Sequence, residues 1–298
     1  MTEVPEHNEL VSIIIPCYNY AHFLPEAIDS AIRQTYKPIE VIVVDDGSTD
    51  SIAQIVKAYP SVHYLRQDHF GLARARNTGL SYSHGAYLLF LDADDRLLPE
   101  AVNIGIHTLA LQKDCAFTYG LFVSFGHFGA LQRLAPDQIS TYKELLKRNF
   151  IGNPGSVLYN RWVFPHVEGF DETNDPAADY EIYLRIARQF PICCHHKVVV
   201  EYRMHGNNMS HDPRVMLKAS LTALKHQRQH VAGNHTLSEA YDIGREYWKD
   251  YYGEQLIVRT YESLVQGNVL NAARNVCTLI KFYPERFVTF VRRKIMKL

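Results

Sequence analysis

Asp92 and Asp94 stand one residue apart in the run Leu91-Asp-Ala-Asp-Asp95, directly after the apolar stretch Tyr87–Leu91. In extended chain, residues i and i+2 point to the same side. Two hard oxygen donors facing one way suit Mg2+ or Mn2+, which take one or two carboxylates and complete their shell with water and substrate phosphates. The same spacing also serves a turn or a helix N-terminus, where Asp is common, so both readings stand. Asp95 fits a cap for a helix beginning near Pro99. A second polar cluster, Asp45-Asp46-Gly-Ser-Thr-Asp50, also follows an apolar run, Glu40–Val44. Familiar phosphate-binding and nucleophile motifs are missing. There is no Gly-Lys dipeptide and so no P-loop, no Gly-x-Gly-x-x-Gly after the first strand, and no Gly-x-Ser-x-Gly.

The elements that must carry these residues follow a simple rhythm. Short β-rich runs at Val11–Ile15, Glu40–Val44, Val62–Leu65 and Tyr87–Leu91 alternate with helical spacing over Phe23–Thr35, Ile52–Tyr59 and Leu72–Ser83. This is the pattern of βαβ units, and it predicts an α/β fold with a mainly parallel sheet and helices on both faces. Such sheets bind ligands outside the carboxyl ends of their strands, where Asn19, Asp45, Asp46 and the Asp92–Asp95 cluster fall. Phe117–Gly155 has no clear period beyond a helix at Tyr142–Arg148. Ala178–Arg188 reads as an amphipathic helix and Cys193–Tyr202 as a strand. Beyond Pro213 strand signals stop. Helices are expected at Arg214–His230, Ser238–Tyr252, Gln255–Gln266 and Val269–Phe282, which divides the chain into 1–211 and a helical extension, 212–298.

Four segments in order, Val11-Ser-Ile-Ile-Ile-Pro-Cys-Tyr-Asn19, Val44-Asp-Asp-Gly-Ser-Thr-Asp50, Gly71-Leu-Ala-Arg-Ala-Arg-Asn-Thr-Gly79 and Leu91-Asp-Ala-Asp-Asp95, closely resemble the family 2 glycosyltransferases of bacterial type. The resemblance covers about residues 10–210. It implies the GT-A fold, a Rossmann-like arrangement, and transfer of a sugar from a nucleotide-diphosphate donor, with UDP-sugars favoured. By the same resemblance Asp46 would bond the nucleotide base with Asp45 beside it. Pro16, Tyr18 and Asn19 would line the nucleoside pocket, and Gly71, Arg76 and Asn77 its neighbouring wall. Arg76 also reads as an ordinary helix-surface cation. Asp92 would contact the donor ribose or sugar, and Asp94 would bind Mn2+ or Mg2+. His205, in Tyr202-Arg-Met-His-Gly-Asn-Asn-Met-Ser210, would complete the metal site.

The family usually carries Glu-Asp at the start of a helix, the Asp being the catalytic base. Here the pair is Ala178-Asp179. One carboxylate suffices to take the acceptor hydroxyl's proton, so Asp179 is the expected base, with a helix cap as its competing role and Glu181 as a fallback. Asn153 and Ser156, in Gly152-Asn-Pro-Gly-Ser156, match the acceptor side of the family's cleft and equally suit a structural turn. The acceptor would be a saccharide, a lipid-linked molecule or another hydroxyl, and the transfer direct and inverting. Two rivals are a sugar-nucleotide pyrophosphorylase and a non-catalytic sugar-nucleotide-binding scaffold. Cys17-Tyr-Asn-Tyr20 disfavours the first, because such enzymes usually place a Gly-rich loop there.

Composition narrows the partners. With 31 Lys and Arg against 32 Asp and Glu the net charge is -1, which gives no electrostatic case for nucleic acid. Five cysteines without a Cys-x-x-Cys pair suggest neither a disulfide framework nor structural zinc. No secretory signal is expected at the N-terminus, and no apolar run approaches the roughly 20 residues of a membrane helix. A cytoplasmic enzyme is the expectation. The tail, with Phe282, Phe287, Val288, Phe290 and Val291 before Arg292-Arg-Lys-Ile-Met-Lys-Leu298, suits peripheral contact with the inner face of an anionic membrane. It equally suits a solvated helix end.

Overall fold

The structure is a computed structural model that describes residues 9–126, 131–132, 141–206, 208–284 and 287. The opening residues and the basic tail 292–298 lie outside the described residues, as do Val288, Phe290 and Val291. The chain divides into two compact units, Met1–Leu145 with Asn149–Gly206, and Leu146–Arg148 with Asn207–Leu298.

The first unit is built on one mixed sheet. Strands β1 (Val11–Cys17), β2 (Ile39–Asp46), β3 (Val62–Gln67) and β4 (Tyr87–Phe90) run parallel in the order β3-β2-β1-β4. They are joined by helices α1 (Leu24–Ile32), α2 (Ile52–Val56) and α3 (Leu72–Tyr82). This is the half that the βαβ rhythm foretold. Every residue of β1 is buried, which is why its sequence shows no alternation. Helix α1 turns Leu24, Ala27, Ile28 and Ala31 onto that core, and burying a Leu or Ile side chain stabilises by roughly 1.5–3 kcal/mol.

Beyond β4 the sheet becomes mixed. Its next strands are β8 (Val157–Asn160), antiparallel to β4, and β6 (Phe117–Gly126), antiparallel to β8. Strand β9 (Ile192–Met204) then runs parallel to β6, and the two-residue β5 (Arg96–Leu97) pairs antiparallel with β9. The short β7 (Leu131–Gln132) pairs with β6. Helix α4 (Ala101–Leu111) precedes β6, α5 (Tyr142–Lys147) and α6 (Phe164–Val167) flank β8, and α7 (Ala178–Gln189) leads into β9.

The second unit consists of α8 (Pro213–Val231), α9 (His235–Val265) and α10 (Val269–Phe282). Each is capped by an Asp or Asn side chain: Asp212 accepts from the Arg214 amide, Asn234 from Leu237 and Asn268 from Asn271. The two helices expected at Ser238–Tyr252 and Gln255–Gln266 are a single helix of 31 residues. Gly253 does not break it. A side chain there would come within 2.9 Å of the Tyr283 ring, so the glycine makes room for an aromatic of the same unit. Among the described residues, no helix is long and apolar enough to cross a membrane.

Candidate active site

The carboxyl ends of β1 and β2 are laced together by their own side chains. Asp45 is fully buried and accepts from the Ser48 amide at 2.8 Å, the Tyr64 hydroxyl at 2.6 Å and Arg66 Nη1 at 2.7 Å. Asn19 adopts φ 57°, a conformation Asn tolerates better than most residues. Its Oδ1 accepts from the Thr49 amide and hydroxyl, and its amide donates to the Ser48 hydroxyl. Pro16 is buried within β1, opposite Val44. Asp46 receives four donors: Gln67 Nε2 and the Phe70 amide on Oδ1, and the Gly71 amide and His69 Nδ1 on Oδ2. Asp45, Asp46 and Asn19 thus shape the mouth by holding loops. Tyr18 is the group on view: it is 41% exposed and stacked on His69, ring centroids 3.8 Å apart and planes 14° apart.

Gly71 precedes α3 at φ +102°, and a Cβ there would meet Asp175 Oδ2 at 2.8 Å. Asp175 takes that place to cap α3, accepting from the Leu72 and Ala73 amides. One turn on, Arg76 is not a surface cation. It is 2% exposed, donates from Nη2 to Asp92 Oδ1 at 2.9 Å, and lies 5.4 Å from the Phe170 ring centroid. Asn77 faces elsewhere. Its Nδ2 donates to the Phe170 carbonyl and Glu172, and its Oδ1 accepts the Phe170 amide, so it fastens the loop at 170–172 to α3.

The chain after β4 brings Asp92 and Asp94 to the same mouth. Asp94 Oδ2 is 2.9 Å from His205 Nε2, at the end of β9. Rings of Tyr20 and Phe23 flank that histidine, at centroid distances of 5.6 and 4.9 Å. Asp95 does not cap a helix. It is buried and accepts from the Arg203 amide at 2.8 Å and from Asn153 Nδ2 at 2.7 Å. Arg203 also donates from Nε to the Asp94 carbonyl and from Nη2 to Glu26. Strand β9 is therefore clamped to the aspartate loop on both sides of Asp94. Burial raises the Asp94 carboxyl above the ordinary range, the charge of Asp92 adds to it, and His205 opposes the shift. Asp95 is pushed well up, first by burial and then by Asp94 and Asp92. Asn153 and Ser156, expected on the acceptor side, are both buried. Asn153 Oδ1 accepts the Gly155 amide and the Ser156 hydroxyl donates to the Asn153 carbonyl. Both residues build the turn that supports Asp95.

Asp179 lies in the first turn of α7, two residues after the N-cap position at Ala177. Its Oδ1 accepts the neighbouring Tyr180 amide. Burial lifts its carboxyl above the ordinary value, with the Arg76 cation and the Tyr180 amide pulling the other way. Ala178, at the family's Glu position, is fully buried. Glu181 is no fallback base: its two oxygens are taken by Arg185, whose guanidinium also reaches the Val167 and Gly169 carbonyls. What the arrangement offers is an imidazole and a carboxylate in contact, a second carboxylate steadied by a buried arginine, and a separate buried carboxylate under that arginine's field.

A family model described as Glycosyl transferase family 2 matches residues 12–184. The chain belongs to that family. A chondroitin synthase of Pasteurella multocida is 28% identical over 296 residues, 95% of this chain and 30% of that protein. This family 2 chain spans between about a third and two thirds of the length of the first relatives it matches, which are bacterial. Among solved structures, S. aureus TarS 1–349 in complex with UDP-GlcNAc superposes with a TM-score of 0.64 at 19% identity, covering 82% of this chain and 72% of that one. The mannosyltransferase PcManGT of Pyrobaculum calidifontis, in complex with GDP-Man and Mn2+, does so with a TM-score of 0.59 at 16% identity, covering 93% and 88%. These likenesses show the GT-A fold. Sequence reasoning missed the supporting residues Asp175, Arg203 and His69. The first stood in view four positions before Asp179, but nothing in its spacing revealed a partner about a hundred residues away.

Proposed function

We propose that this glycosyltransferase moves a sugar from a nucleoside-diphosphate donor, a UDP-sugar by preference, to a hydroxyl of a saccharide or lipid-linked acceptor, with inversion at the anomeric carbon. The observation that carries the reading is the contact of Asp94 with His205, beside Asp92 and within the charge field that Arg76 shares with Asp179. A carboxylate oxygen and an imidazole nitrogen fit Mn2+ or Mg2+, which draw remaining ligands from water and diphosphate oxygens. Asp94 and His205 would hold that ion. Once bound, it supplies positive charge against the departing diphosphate.

The chain's own residues supply the rest. Arg76 donates to Asp92 and fixes it toward the donor. Asp179 takes the proton of the acceptor hydroxyl as its oxygen bonds to the anomeric carbon and the bond from that carbon to the diphosphate oxygen breaks. The proton ends on the Asp179 carboxylate, and no covalent sugar–enzyme bond forms. The likeness to a chondroitin synthase supports a polysaccharide or glycoconjugate product, and the UDP-GlcNAc complex of TarS supports a uridine donor.

The deciding experiment is calorimetric titration with a panel of nucleoside diphosphates, with and without Mn2+, beside Asp94→Ala. The reading requires metal-dependent binding of one nucleotide that Asp94→Ala abolishes. Metal-independent binding would remove the ion from the reading. A product of retained anomeric configuration, seen by NMR of the linkage proton, would remove the inversion.

A further inference from the structure

His205 lies just past the last paired residue of β9, Met204, which stands opposite Gly126. The sheet ladder therefore does not set the direction of its ring, and side chains must. Phe23, at the N-cap position of α1, has its ring centroid 4.9 Å from that of the imidazole, with the planes inclined at 34°. Tyr20 meets the same imidazole edge-on, at 5.6 Å and 75°. Tilted and edge-on pairs at these separations are the favoured arrangements of aromatic rings.

Phe23 is itself held by a cation. The Arg203 guanidinium carbon stands 4.7 Å from the Phe23 ring centroid and 4.6 Å from that of Phe125, and Arg96 stands 4.2 Å from Phe125. Glu26, three residues after Phe23, accepts from both arginines, at 2.8 and 3.0 Å. Arg203 in turn donates from Nε to the Asp94 carbonyl at 2.9 Å. The contacts thus close into a circuit of four residues. Asp94 meets His205, His205 meets Phe23, Phe23 meets Arg203, and Arg203 returns to Asp94. Three members come from the aspartate loop and the end of β9. Phe23 alone comes from α1, and it ties the circuit to the core beneath that helix.

We propose that Phe23 is a positioning residue of the metal site: it sets the direction in which the His205 imidazole faces Asp94, so that Mn2+ affinity depends on a side chain with no ligand atom. This rests on the reading that Asp94 and His205 hold the ion. A phenyl ring offers a metal nothing to coordinate, so its effect must pass through the histidine. Groups that orient a ligating histidine usually do so by a hydrogen bond; here a ring, fixed by a guanidinium, does the orienting. A residue that only packed α1 would change stability and leave the ion alone.

The test measures Mn2+ affinity on the full chain with UDP present, from the paramagnetic resonance signal of the free ion. It compares wild type, Phe23→Leu, Phe23→Tyr, His205→Ala and the double variant Phe23→Leu with His205→Ala. Leu keeps an apolar side chain and removes the ring. Phe23→Leu is expected to weaken Mn2+ binding by about 10–100-fold, the usual cost of losing a group that orients a metal ligand. Phe23→Tyr keeps the ring and should stay near wild type. In the His205→Ala protein, Phe23→Leu should cost nothing further, because the ligand it orients is gone. Phe125→Leu supplies the same cycle one contact farther out, with a smaller loss expected when His205 is present and none when it is absent. Unchanged Mn2+ affinity in folded Phe23→Leu, or an equal loss with and without His205, would overturn the assignment while leaving the metal site in place. Absence of Mn2+ binding by the wild type, or binding that His205→Ala leaves untouched, would overturn both the assignment and the reading beneath it.

Discussion

At the scale of single residues, the proposed mechanism separates three carboxylates by environment. Asp179→Asn should lower kcat by about 10²–10⁴-fold, the usual worth of a general base, with the donor KM within about threefold of wild type. Burial raises the Asp179 carboxyl, and the base must be ionised to act. Activity is therefore expected to fall on acidification at a pH above the ordinary carboxylate range. Arg76 opposes that shift, so Arg76→Met should move the acid limb to higher pH, and Arg76→Lys should restore much of it; a limb that does not move would detach Arg76 from the base. Asp92, Asp94, Asp179 and His205 were singled out in the sequence by the family resemblance, and the structure brings Asp94 to His205 and Asp92 to Arg76. Their division of labour was not legible in the sequence. Asp45, Asp46, Asn77 and Asn153 carry the residue types of ligand-binding groups, and their hydrogen-bond partners, 3 to 93 residues away along the chain, add a loop-holding role that spacing could not show.

At the scale of elements, the aspartate loop is a strained piece of electrostatics braced by β9. Three acidic side chains lie within four residues, and the Asp94 and Asp95 carboxyls are both raised, first by burial and then by acidic neighbours, Asp92 for Asp94 and Asp94 with Asp92 for Asp95. The folded state thus holds protons more tightly than the unfolded chain. Stability is expected to decline as pH rises from the unfolded carboxylate range through the raised folded values. Mn2+ should offset the decline, so the melting temperature gained on adding it should grow with pH across that window; a gain that is flat with pH would contradict this. Asn153→Ala removes one of the donors to buried Asp95 and should cost about 1–3 kcal/mol in denaturant unfolding. The βαβ half was readable because each strand and helix has its own period. Beyond it, β9 was readable as Cys193–Tyr202, but β6 was not, because it pairs across long loops, and the two-residue β5 is too short to leave a pattern at all.

At the scale of the whole molecule, the 31-residue helix α9 was misread as two helices. Gly253 lies between the two expected helices, and Gly lowers helix propensity by about 1 kcal/mol against Ala. Its meaning lies in Tyr283, which packs where a side chain would be. Gly253→Val should therefore destabilise by roughly 1–3 kcal/mol through overpacking, and pairing it with Tyr283→Ala should recover most of that loss in the same unfolding assay. For the tail, removal of residues 284–298 decides between the two readings of its sequence: lost co-sedimentation with anionic vesicles would support membrane contact, and unchanged co-sedimentation would remove it.

The bond between His205 and Asp94 spans 111 residues of sequence. During synthesis at roughly 5–20 residues per second, the chain waits on the order of 5–20 seconds between making the aspartate and making the histidine. Through that interval the acidic loop exists without its imidazole and without the β9 strand that braces it. The Asp94–His205 pair is thus among the last contacts of the first unit to be completed, and any chain released before residue 205 carries the aspartate loop without the imidazole that meets it.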